Sequence, residues 1–214
     1  EDDAADFRAL GCTKPIHVIA CGVSVPATPD SQLPTPGTTG FIGSLDYRPN
    51  QDAVIWIIRE LWPRIVARVP DARLSIAGSS PPDWLRSEVV QRGIDFQPNV
   101  ADPNAFVNSL SVVLAPIRAG GGMRIKILEA MALGKPVVAT TLGASGMDAK
   151  DVVIADDPEA FSDAVARLLR DPAAAARRGA AGRDHVAHTY DSDTLAAGLL
   201  TFYERLLNGA PPPH

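Results

Sequence analysis

Apolar positions along this chain repeat with two alternating periods. Short apolar runs that end at or near glycine or proline recur around 40–43, 73–78, 94–96, 112–115, 137–140 and 152–155. Runs of that length, bounded by turn residues, predict buried strands. Between them, apolar residues fall three or four apart. The longest such stretch, 50–69, carries Val54, Ile57, Ile58, Leu61, Ile65 and Val69 on one stripe, and predicts a helix that Pro63 bends or breaks. Further helices are predicted at 82–92, stopped by Gly93, from Asp102 or Pro103 to Leu110, and at 124–133, 158–170, 173–188 and 192–207, with Asp157-Pro158 as a cap and first-turn pair. Strands alternating with helices predict an α/β chain, a doubly wound parallel sheet covered on both faces, with helices at the carboxyl end. Such folds bind ligands beyond the carboxyl ends of their strands. The glycines at 43, 78 and 120–122 all follow strand ends, so they are expected on one rim.

The chain's ends read differently. Residues 1–11 look like the last part of a helix closing at Gly11, and 16–20 reads as a short strand. Residues 26–39 hold Pro26, Pro29, Pro34 and Pro36 among Thr, Ser and Gly, the composition of a linker. The expected division is therefore 1–36 as the remnant of a preceding domain with its linker, 37–208 as the main domain, and 209–214 as a disordered tail. A 46% apolar content supports a sizeable core in 214 residues. The net charge of −5 argues against nucleic acid as a partner. Cys12 and Cys21 are too few for a disulfide scaffold, which suits a cytoplasmic protein. No apolar run is long enough to span a bilayer. His185 and His188 are three apart and could share a helix face, but two histidines alone make a poor zinc site, so no metal is expected. Neither a Walker A motif nor a Gly-x-Gly-x-x-Gly fingerprint occurs.

The densest chemistry lies in 120–138. The triglycine Gly120-Gly121-Gly122 separates the apolar run Val112–Ala115 from a helix that carries Arg124, Lys126 and Glu129. A helix N-terminus after glycines offers free backbone N–H groups to an anion. Arg124 and Lys126 add positive charge, and an ionised Glu129 can accept hydrogen bonds from sugar hydroxyls. Two residues apart, Arg124 and Lys126 cannot share one helix face, and Arg124 lies nearer the loop. These groups suit a nucleoside diphosphate.

In order, Phe41-Ile42-Gly43-Ser44, Leu74-Ser75-Ile76-Ala77-Gly78, the 120–138 segment and Asp157-Pro158-Glu159 resemble family 4 glycosyltransferases, specifically the carboxyl-terminal, donor-binding domain of the GT-B architecture. Ala20-Cys21-Gly22-Val23 resembles the segment where that family's interdomain linker begins. The resemblance implies a Rossmann-like half of a GT-B enzyme, and transfer of a hexosyl unit with retention from a nucleotide-sugar, such as a UDP- or GDP-sugar, as in polysaccharide biosynthesis. No cofactor or metal is implied. The acceptor, a glycan or a lipid-linked molecule, would bind a missing amino-terminal domain, which also allows peripheral association with the inner face of a membrane.

The resemblance implies roles for single residues. Glu129 holds the donor ribose, and Arg124 and Lys126 support the leaving diphosphate. Gly43 allows close backbone approach. Ser44 stands where many relatives carry a phosphate-binding Arg, and Arg48 substitutes for it. Asn99 and Val100 border the base, largely through backbone atoms. Gly121 stands where the first carboxylate of the family's Glu-x7-Glu motif is usual, leaving the N–H groups of Gly120, Gly121 and Gly122 in its place. Thr140 and Thr141 stand at a strand end within reach of phosphate, although β-propensity explains them equally well. A GT-B-type epimerase and a non-catalytic nucleotide-sugar binder are the alternatives.

Overall fold

The computed structural model describes residues 2–27, 34–121 and 125–208. Six strands form one parallel sheet: β1 (Thr38–Ser44), β2 (Arg73–Ser79), β3 (Asp95–Pro98), β4 (Val112–Ala115), β5 (Val137–Ala139) and β6 (Val153–Ile154). Their order is β3-β2-β1-β4-β5-β6, with every neighbouring pair parallel. The expected doubly wound sheet is thus present. The chain proceeds outward from β1 to β3, then crosses back to β4 and proceeds outward the other way. The reversal opens a crevice between the carboxyl ends of β1 and β4.

Side-chain alternation divides the core between the two faces. Phe41, Leu74, Ile76, Val112, Leu114 and Val138 pack on one face against α2 (Arg48–Trp56), α3 (Trp62–Arg68), α4 (Asp83–Gln91) and α7 (Pro158–Arg170). Ala77, Val113, Ala115, Val137 and Ala139 pack on the other against α5 (Pro103–Ser109), α6 (Ile125–Ala132) and α8 (Pro172–Thr189). Strands buried on both faces must be apolar throughout, which is why 112–115 and 137–139 are unbroken apolar runs rather than alternating ones.

The long helix predicted at 50–69 is present but not uniform. Residues Ile57–Leu61 form a π-turn between α2 and α3, closed by the Trp62 N–H donating to Ile57 O. Pro63 lacks an N–H and its ring crowds the preceding turn, and the wider turn absorbs both defects without stopping the helix. Asp102 and Asp157 cap α5 and α7, each carboxylate accepting two backbone N–H groups.

The amino-terminal expectation needs one correction. Residues 2–9 form α1 (Asp2–Ala9) and Gly11 takes a φ of +90°, but 16–20 is not a strand. That segment has no strand partner among the described residues. The stretch after it makes an isolated bridge between Val23 and Asp191, just before α9 (Ser192–Leu207). An apolar run needs a free sheet edge to become a strand, and 16–20 pairs with none among the described residues. His17 stacks on Phe202 of α9 at 4.1 Å, Val18 and Ile19 stay largely exposed, and Val23, beyond the run, is buried.

Candidate functional site

On the β1 side of the crevice, three strand ends are tied together by polar groups. Ser44 Oγ donates to Asp46 Oδ1 at 2.8 Å and shares a hydrogen with Ser79 Oγ at 3.1 Å. Asn50 Nδ2 donates to the Ser44 carbonyl at 2.8 Å, and Ser80 N donates to Asn99 Oδ1 at 3.2 Å. Ser80 and Asn99 both have positive φ, +50° and +54°. Left-handed non-glycine residues cluster at ligand sites, because the surrounding structure must hold them there. Asn99's amide oxygen is therefore engaged in joining β2 to β3, and Val100 packs half-buried on the α5–α6 core. Gly43 is buried, and a side chain there would press on Asn50 and Phe41, so its lack of a Cβ has a packing reason. Arg48 opens α2, exposed, with no ion-pair partner among the described residues.

The other side of the crevice begins at the end of β4. Gly120 takes a φ of +88° and is exposed, the left-handed conformation that favours glycine. Gly121 does not share it, and a side chain there would meet no described atom within 4 Å. Among the described residues no packing demands glycine at 121, so there the absent carboxylate is a chemical departure. Gly122 and Arg124 lie outside the described residues. From Ile125 the chain is helical. Lys126 and Glu129, three apart on α6, form an ion pair at 2.8 Å, both partly exposed. Such a pair contributes about 0–1 kcal/mol, so a ligand can displace it easily.

Glu129 also borders a cavity of about 250 Å3, lined by Ser24, Pro26, Asn104, Ile125 and Leu133 and by the backbone turn at Gly22. Ile125, Glu129 and Leu133 are four apart and form one stripe of α6. The facing wall is the 22–26 segment, which is held in place by the Val23 N–H donating to Tyr190 O and by Arg183, which donates to the carbonyls of Pro26 and Ala132.

Across the sheet, Arg118 follows β4 directly. Its Nε and Nη2 donate to the two carboxylate oxygens of Asp52 at 3.1 and 2.7 Å, and its guanidinium lies 4.8 Å from the Trp56 ring centre. Two bonds and a stacked ring fix a planar guanidinium closely. It holds the segment leading to the glycines against α2. Nothing in the sequence singled Arg118 out except its place between an apolar run and the triglycine.

Other residues noted from sequence have structural roles here. Thr140 is buried and donates to Ile117 O, and Thr141 is bound through both its N–H and its hydroxyl to Asp156 at 2.7 Å. Neither hydroxyl is free for phosphate. A second hollow, about 410 Å3, lies on the β6 side by α8, with Lys150, Asp184, His185 and His188 in its lining. His185 Nε2 stands 3.7 Å from Asp148 Oδ2, beyond hydrogen-bond distance. No group of three metal-ligating side chains occurs among the described residues.

Residues 36–171 match the family model for glycosyl transferases group 1. A GDP-mannose-dependent monoacylated α-(1-6)-phosphatidylinositol monomannoside mannosyltransferase of Corynebacterium glutamicum is 31% identical, over 83% of this chain and 53% of its own length. A phosphatidyl-myo-inositol mannosyltransferase of Mycolicibacterium smegmatis is 30% identical, over 86% of this chain and 50% of its own. The chain spans about half the length of these curated relatives. Among solved structures, TarM matches 94% of this chain and 41% of its own with a TM-score of 0.77 at 17% identity, and Anabaena HepE in complex with UDP matches 79% and 49% with a TM-score of 0.65 at 14% identity. At such identities these two show the shared GT-B fold alone. Strand order, glycine loop and family match agree, and the chain belongs to the group 1 glycosyl transferases.

Proposed function

We propose that this chain is the donor-binding half of a retaining glycosyltransferase, and that its crevice between β1 and β4 holds a nucleotide-sugar. The observation that carries this reading is the position of Glu129: one helical turn beyond the start of α6, past a glycine loop at the point where strand order reverses, and bordering a cavity. A carboxylate there can take both ribose hydroxyls while backbone N–H groups meet the diphosphate. The relatives' names support hexosyl transfer, one specifying GDP-mannose, and HepE was solved with UDP.

The chemistry assigned to this chain is electrostatic. As the bond between the anomeric carbon and the diphosphate oxygen breaks, negative charge grows on the leaving group. A cation aimed at that charge in a dry cleft contributes about 3 kcal/mol. Arg124 and the α6 N-terminus are the first candidates, with Arg48 and Lys126 in support. No protein nucleophile is assigned and no metal is needed. A glycan or lipid-linked acceptor would attack from a domain outside this chain, and membrane association would come through that domain. No described helix is long and apolar enough to cross a membrane.

A second reading, a nucleotide-sugar binder without catalysis, is favoured by Gly121 and Ser44, which stand in place of the charged groups that relatives use. Titration calorimetry with UDP, GDP and their sugars tests both. The donor reading expects saturable binding of at least one nucleotide. Absence of binding by all of them, with the fold verified by circular dichroism, contradicts it.

A further inference from the structure

We propose that Arg118 is a positioning residue for donor binding: through its ion pair with Asp52 it fixes where the glycine loop presents its backbone N–H groups to the diphosphate. The proposal rests on the donor-site reading above. Gly120 and Gly121 carry no side chains, and a Cβ on Gly121 would meet no described atom within 4 Å, so packing at Gly121 does not place the loop. Its place is inherited from the residues beside it.

Two anchors hold the residues before the glycines, one from each side. On the β5 side, Thr140 Oγ1 donates to Ile117 O and accepts from Gly143 N at 2.9 Å. On the α2 side, Arg118 closes its two bonds on the Asp52 carboxylate and lies over Trp56. Trp56 is itself buried, edge-on to the fully buried Phe161 with ring centres 5.7 Å apart, so the surface beneath the guanidinium is fixed.

This second anchor crosses the crevice. β1 pairs with β2 along its whole length, but with β4 only at Thr39 and Gly40, and then runs on to Ser44. Beyond that point no ladder joins the two strands. Arg118, three residues past the end of β4, meets Asp52 on the helix that follows β1, and so ties one side of the crevice to the other. Both side chains are 42% exposed, so the pair adds little to global stability. What two parallel bonds and a stacked ring supply is direction. Charge alone predicts the opposite sign for Asp52: removing a carboxylate from the edge of the crevice should tighten the binding of an anion.

Calorimetry with UDP and GDP on the wild type, Asp52→Ala, Arg118→Ala and the double variant tests this, with hydrogen exchange on each nucleotide complex. Each single variant should weaken the bound nucleotide about five- to tenfold, the loss of about one hydrogen bond. The double variant should lose no more than either single one, because both break the same tie. Nucleotide-induced protection at 119–121 should fall while that at 43–45 stays. Melting temperatures should drop by about 4 °C or less. Asp52→Asn and Arg118→Lys keep the shapes but restore no pair of parallel bonds, so they should weaken binding to a similar degree, and they carry the test if an alanine variant unfolds. Unchanged or tighter binding on loss of the Asp52 carboxylate, effects that multiply in the double variant, or protection lost at both segments alike overturns the proposal alone. Absence of any nucleotide binding by the wild type overturns it together with the donor reading.

Discussion

Glu129→Ala is expected to weaken nucleoside diphosphate binding about 10- to 100-fold while leaving the fold intact. A hydrogen bond to a charged group contributes about 1.5–3 kcal/mol, and each 1.4 kcal/mol is a factor of ten. Glu129 is partly exposed on α6, and Ala is the best helix former, so thermal stability should change by about 0.5 kcal/mol or less. The competing explanation is that Glu129 exists only to pair with Lys126 at 2.8 Å. Lys126→Ala separates the two. If the ribose role holds, removing Lys126 changes affinity about threefold at most, because a partly exposed pair is weak. If pairing is the whole role, the two variants behave alike. Glu159→Ala is the distant control: Glu159 pairs with Arg64 and Arg68 on the α3–α7 surface, and its loss should leave binding unchanged.

Gly78→Ala is expected to destabilise the protein by about 3 kcal/mol, the upper end for an overpacked core position. Gly78 pairs in register with Gly43, and both are buried. A Cβ on Gly78 would stand 2.2 Å from Gly43 O and 2.6 Å from Leu45 Cγ. The first atom belongs to a neighbouring strand whose spacing the parallel ladder fixes, and the second to a fully buried side chain. Neither can withdraw without moving the rim. Gly43→Ala makes a useful contrast. Its nearest conflict is the end of the Asn50 side chain at 2.9 Å, a group that can turn away. A melting experiment should therefore show a drop of about 6–12 °C for Gly78→Ala in a domain of this size, and a clearly smaller drop for Gly43→Ala. Equal melting temperatures would refute the claim that backbone contact makes Gly78 obligatory.

Most of the sheet was legible because burial on both faces leaves an unmistakable trace. Val112–Ala115 and Val137–Ala139 have no polar residue to hide, and capped helices such as Pro158–Arg170 announce their first residue through Asp157. The 16–20 strand failed because a short apolar run states that the segment favours strand, not that a sheet edge is available to pair with it. The π-turn at 57–61 was signalled by Pro63, although its form was not, since a proline fixes where a helix is disturbed and packing decides how. The place of Glu129 on α6, past the glycine loop, was legible from spacing alone. Thr140 and Thr141 misled in the same way. Each has a polar side chain at a strand end, and each spends it on a neighbour distant in sequence, Ile117 and Asp156, that no local pattern reveals. Arg118 and Asp52 are 66 residues apart, so the pair leaves no spacing to read.

The central claim is that a nucleotide occupies the crevice at the reversal of strand order. Hydrogen exchange with and without saturating UDP or GDP tests it directly. The account predicts added protection at 43–45, at 119–121, in the first turn of α6 and in segment 22–26, with little change around the His185 hollow on α8. Protection confined to that hollow, or to α9, would contradict it.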